Sequence, residues 1–155
     1  MKTLFSLTIT LCLLFTNNVL CENPISVTWE ELGKLDYFTG NMPNSLKELQ
    51  NKKIEIAGFI VPLEMDDYID SVKEFLLVPD PFSCIHVPPP PANQMILITM
   101  KESIPLDMDF RGVAITGVLD IAESENGVFG YSLKGESAKE ANIEFEDPIM
   151  EFLTY

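Results

Sequence analysis

The stretch "KKIEIAGFIVPLE", Lys52 to Glu64, decides the fold. In an extended strand successive side chains alternate, so Ile54, Ile56 and Gly58 share one face. Ala57, Phe59, Val61 and Leu63 share the other. The alternation is clean at first and then both faces turn apolar, the pattern of a strand entering a closed barrel. A glycine in mid-strand predicts a bulge or a tight bend at Gly58.

Four more strands follow at short intervals. They are "KEFLLVPD" (73–80), "QMILITMK" (94–101), "FRGVAITGVLDIAE" (110–123) and "VFGYSLKG" (128–135). Prolines 79 and 81 stop the second, "ENG" turns the chain before the fifth, and Gly112 and Gly117 mark bends in the fourth. The fold expected is mainly β: a small five-stranded OB-like barrel with a short N-terminal helical segment. An OB barrel usually carries a helix between its third and fourth strands. Here "ESIPLDMDF" (102–110) takes that place, and Pro105 argues against a helix.

Upstream, "TWEELGKL" (28–35) reads as a short helix opened by a Thr28–Glu31 capping box, with Trp29 and Leu32 on one buried stripe. "SLKELQN" (45–51) repeats that logic with Ser45 and Glu48. "ENPIS" (22–26) reads as a flexible lead. At the other end "ANIEFE" suits an edge strand and "DPIMEFL" a helical turn.

The first 21 residues have the anatomy of a secretory signal: "MK", then the apolar core "TLFSLTITLCLLF", then a cut before Glu22 with Val19 and Cys21 at −3 and −1. That core is shorter than the roughly 20 residues of a membrane span. Lipoprotein processing at Cys21 is the alternative, although Leu20 is large for the residue before a lipidated cysteine. The organisation expected is a signal (1–21), a helical lead (22–50), an OB-like domain (51–135) and a C-terminal edge segment of that domain (136–155). The mature chain is expected to have no transmembrane span, and the compartment is the periplasm or cell envelope.

Charge narrows the partners. With 24 acidic and 10 basic residues the net charge is −14. That opposes binding to a nucleic-acid backbone or to anionic lipid, both of which need clustered Lys and Arg. It supplies a soluble surface, or a face for cations. Cys12 and Cys21 belong to the signal, so Cys84 has no intramolecular partner and no disulfide framework exists.

The candidate site is "FSCIHVPPPPANQ" (82–94), which holds His86, the one histidine. In extended backbone Cys84 and His86 point the same way, with Cα atoms roughly 6.5–7 Å apart. Pro88, Pro89, Pro90 and Pro91 stiffen the flank and offer a polyproline surface. Ser83 is placed to donate to a thiolate. Asn93 and Gln94 close the run and are candidates to bond the proline carbonyls. A zinc or copper site through Cys84 and His86 needs further ligands. Glu64, Asp66, Asp67 and Asp70, or Met65, Met95, Met100 and Met108, are on offer. The alternative is a thiol-dependent enzyme using Cys84 with His86. The plainest alternative is a buried apolar Cys84 in a purely structural envelope protein.

The blocks "AGFIVPLE", "FLLVP" and "CIHVPPPPANQ", with the preceding "TWEEL", resemble the bacterial domain of unknown function 3299 family in order and spacing. The resemblance runs from roughly Val27 to Leu133. It implies an exported or lipid-anchored protein and marks Cys84, His86, Asn93 and Gln94 as signature residues. It also implies an envelope transport system as partner, some such systems being concerned with zinc. Two positions depart from the family pattern: Phe82 stands where a glycine is expected, and the lipobox is weak. Together these readings give a non-enzymatic accessory or binding protein whose site is the loop from Ser83 to Gln94.

Overall fold

The computed structural model describes residues 23–63, 70–81, 90–106 and 112–143. Among them the protein is mainly β. Strand β1 is Ile25–Ser26, β2 Lys53–Pro62, β3 Ser71–Val78, β4 Ile96–Pro105, β5 Val113–Glu123 and β6 Phe129–Glu140. Two one-turn helices, α1 (Trp29–Leu32) and α2 (Asn44–Lys47), lie between β1 and β2. A 3₁₀ turn, Ala92–Gln94, leads into β4.

Strand β2 organises the sheet because it changes partners at its glycine. Lys53 to Gly58 pair antiparallel with Val118 to Val113 of β5. Phe59 to Pro62 pair antiparallel with Val78 to Phe75 of β3. β3 continues antiparallel to β4, β4 lies parallel to β6, and β6 runs antiparallel to β5. The pairings therefore return to β2 in a circuit of five strands, β2–β3–β4–β6–β5–β2. The expected bend at Gly58 is this change of partner. A Cβ there would lie 2.6 Å from Val78 O and 3.2 Å from Trp29 Cζ2, so only glycine lets strand and indole approach so closely. Gly117 sits at the expected irregularity in β5: the register slips between Thr116↔Ser137 and Gly117↔Gly135, leaving Glu136 as the extra residue of a bulge.

The sixth strand was not expected. Ile25–Ser26, read as flexible, pairs parallel with Ile54 and Glu55. Val27 N then donates to Glu55 O at 3.0 Å, and Trp29 Nε1 donates to Ala57 O at 2.7 Å. The first half of β2 pairs with β5 along one edge only. The lead supplies donors along the other, which would otherwise expose unpaired backbone groups.

The alternation in β2 is real: Ile54 and Ile56 are buried among Leu77, Ile98, Ile115, Leu119 and Leu133 in one core. Phe59 and Val78, on the opposite face, are buried too, so both sides of β2 are covered where both were read as apolar. Leu63 is exposed. The lead belongs to the same core. Leu32, Leu35, Leu46 and Leu49 are buried in it, each worth about 1.5–3 kcal/mol against exposure.

Several boundaries differ from expectation. Helix α1 ends at Leu32 rather than running to Leu35. Thr28 Oγ1 accepts from Glu31 N as a capping hydroxyl should, whereas the Glu31 carboxylate turns to Lys34 and Ser45 instead of closing the box. Ser45 is consequently no cap: α2 starts at Asn44 after Pro43, with no side-chain cap. β4 runs to Pro105, so half of "ESIPLDMDF" is strand, and β6 runs to Glu140, past residue 135, because it keeps pairing with Val113 to Thr116 beyond the bulge. Residues 141–143 form no strand. The rest of "ANIEFE" and "DPIMEFL" lies outside the described residues.

The glycine contacts make a paired prediction. Gly58→Ala drives a methyl into the Val78 carbonyl and lowers stability by about 2 kcal/mol or more. Gly130→Ala, at a position with nothing within 4 Å, stays within roughly 0.5 kcal/mol of the parent. Urea unfolding of both variants checks this.

Candidate functional site

The loop expected to carry the site joins β3 to β4. Its roots meet directly, since Leu77 pairs with Ile96. Ser83, Cys84, His86, Pro88 and Pro89 lie outside the described residues, as do Glu64, Met65, Asp66, Asp67 and Met108. Pro90, Pro91, Asn93 and Gln94 form the described root. Pro91 has φ −64° and ψ 154°, the polyproline II geometry expected of the run. Gln94 N then donates to Pro91 O at 2.8 Å and closes the 3₁₀ turn.

The side chains of Asn93 and Gln94 turn toward the lead. Asn93 Nδ2 donates to Gly33 O at 3.1 Å and to Leu35 O at 2.9 Å. Gln94 Nε2 donates to Trp29 O at 3.3 Å and to Asn93 O at 3.0 Å. The Gln94 backbone amide makes one of the expected bonds to a proline carbonyl, whereas the side chains of Asn93 and Gln94 turn to carbonyls of α1 and of the turn after it. Trp29 O already accepts from Gly33 N, so Gln94 adds a second donor there, while Asn93 reaches two carbonyls just past the helix. Tyr131 of β6 adds a second donor to Leu32 O beside the Leu35 amide, its hydroxyl lying at 2.6 Å in a buried position. Burial pushes the Tyr131 phenol well above its ordinary range, with the nearby Glu31 charge adding to the effect.

Below this cluster Glu31 accepts from Lys34 and Ser45, and those bonds hold its carboxyl below the usual range. Asp36 fixes the next turn by accepting from Thr39 and from the amide of Phe38. Its carboxyl is lowered by those same bonds. The turn leaves Phe38 71% exposed, its ring 4.4 Å from that of Tyr37.

Among the described residues no three His, Cys, Asp or Glu side chains gather as a metal-binding group. Asp70 is exposed at the start of β3. Met100, offered as a soft ligand, is 3% exposed and packs in the core beside Gly135, so it is core filler. Met95 is half-buried beside the 3₁₀ turn. The network around α1 was not foreseen as a unit. Its signals were Trp29 and a tyrosine within an alternating strand, both of which need a partner for their polar atom when buried.

Residues 37–140 match the family described as protein of unknown function (DUF3299). The chain belongs to the DUF3299 family. The matched span contains the 3₁₀ turn, Tyr131 and all of β2 to β6. A crystal structure of a DUF3299 protein from Pseudomonas aeruginosa PAO1 is similar, with 23% identity and a TM-score of 0.56. The match covers 80% of this chain and 99% of that one. At that identity the likeness shows a shared fold. No curated protein matches. Among the described residues of this DUF3299 protein no helix is long and apolar enough to cross a membrane.

The burial of Tyr131 gives a pH prediction. A raised folded pKa means that the stability it contributes is complete below the unfolded value of about 10 and falls as pH climbs above it. Alkaline unfolding is expected to begin above pH about 10 and to be blunted in Tyr131→Phe. At neutral pH that variant loses about 0.5–1.5 kcal/mol, the net worth of one hydrogen bond, since Leu32 O keeps Leu35 N as a donor. Absorbance titration of phenolate alongside circular dichroism measures both.

Proposed function

We propose that this DUF3299 protein is an exported, OB-like binding or accessory module of the cell envelope, and that its working surface is the connection between β3 and β4. The observation that carries the reading is the anchoring of that connection. The connection spans 17 residues, 79–95, between β3 and β4. It starts and ends on a strand pair, and its second root is bonded to the lead through Asn93 and Gln94. Such a scaffold suits side chains that must be held in place.

The circuit β2–β3–β4–β6–β5–β2, with β4 and β6 parallel, supports reading the sheet as a five-stranded OB-like barrel closed on itself. Export rests on the signal anatomy of residues 1–21, and attachment through Cys21 remains part of the proposal. The loop's chemistry is its soft and borderline donors: Cys84 and His86, two residues apart, suit zinc or copper. The acidic surface favours a cation over an anionic ligand. An envelope transport system handling such a cation is the partner proposed.

The test is metal analysis of tag-free protein, followed by titration with zinc and with copper(I). Uptake of one equivalent at micromolar metal, lost in Cys84→Ser and His86→Ala, is the expected result. No uptake removes the metal role. Rapid alkylation of Cys84 in the native, metal-free protein would then favour thiol chemistry, and alkylation only after denaturation would leave a structural protein.

A further inference from the structure

We infer that Asn93 and Gln94 are positioning residues that make the N-terminal lead and the root of the β3–β4 connection, residues 90–95, one mechanical unit, so that loosening either one loosens the other. The inference rests on the proposed working surface being that connection, and it is carried by the acceptors involved. The two groups facing Asn93 Nδ2 are both carbonyls, Gly33 O and Leu35 O. A carbonyl only accepts, so the amide must present its NH₂ group there, and one side chain bridges two points of the lead. Gln94 adds Trp29 O. The fit is close: a Cβ on Gly33 would stand 3.0 Å from Gln94 Nε2. The lead is held from its far side by bonds that avoid the loop, Trp29 Nε1 to Ala57 O and Tyr131 hydroxyl to Leu32 O. The two sides thus grip one short segment, residues 29–35, at different groups: the carbonyls of Trp29, Gly33 and Leu35 from the loop root, and Leu32 O and the Trp29 indole from the sheet.

Two substitutions of opposite character separate positioning from packing. Asn93→Ala removes the donors. Asn93→Asp keeps the shape but sets a carboxylate against two carbonyl oxygens. A carboxylic acid can donate once where a carboxylate cannot, so the introduced acid titrates above its unfolded value. Its penalty is therefore full above the folded pKa and relieved as pH falls toward and below the unfolded value of about 3.9.

The experiment is amide hydrogen exchange on the full mature chain, read over residues 90–95 and 29–35 as a function of pH after correction for intrinsic exchange. Tyr131→Phe serves as the control that weakens the lead from β6. Asn93→Ala is expected to speed exchange in both segments about tenfold or more. N93D exceeds it at pH 7 and falls below it near pH 4. Tyr131→Phe is expected to speed 29–35 and, through that shared segment, 90–95 by a smaller factor. The inference is overturned if Asn93→Ala affects 90–95 alone, or if N93D shows no pH dependence beyond that of Asn93→Ala. Neither readout depends on metal, so a failed metal titration leaves this test intact, and a failure here leaves the metal reading to its own test.

Discussion

The end of a single helical turn governs how this chain closes. Side-chain donors from two distant places converge on the backbone carbonyls of helix α1 and of the turn that follows it. Tyr131 arrives from β6, and Asn93 and Gln94 arrive from the root of the β3–β4 connection. Each such bond contributes about 0.5–1.5 kcal/mol net, and the four together hold the lead in its docked position. Once docked, the lead adds Leu32, Leu35, Leu46 and Leu49 to the core and covers the open edge of β2. The same contacts give the proline-rich connection a fixed root.

The arrangement ties function to folding in a specific way. A β-hairpin loop of this length would ordinarily be the least ordered part of a small domain. Here its second root is tied to the lead, which is tied in turn to the sheet. The net charge of −14 is the ground for preferring a cation to an anionic ligand in the proposed function.

How legible this was depends on whether a residue's job is local. The pairing of β2 could be read because alternation is a property of neighbours, and Gly58 because a glycine inside "EIAGFIV" has few other reasons to be there. Gly117 was legible in the same way. β1 was not, since a two-residue parallel strand has no period and owes its existence to the edge it covers. The capping box misled at Glu31: Thr28 follows the local rule, but Lys34 and Ser45 compete for the carboxylate once the chain folds back. Asn93 and Gln94 stood out by position, yet their acceptors lie about 60 residues upstream, and no pattern near residue 93 points there. Cys84 and His86 remain a reading of chemistry and spacing.

The most direct test of this account uses Trp29, the one tryptophan, which sits on the lead and reports its docking by fluorescence. Far-ultraviolet circular dichroism reports the sheet. In urea the two signals are predicted to fall on one curve with a single midpoint, and Asn93→Ala is predicted to shift both together. A tryptophan transition completed at lower urea, with the sheet signal unchanged, would show that the lead is an appendage and contradict the claim that its carbonyl end holds the fold and the loop together.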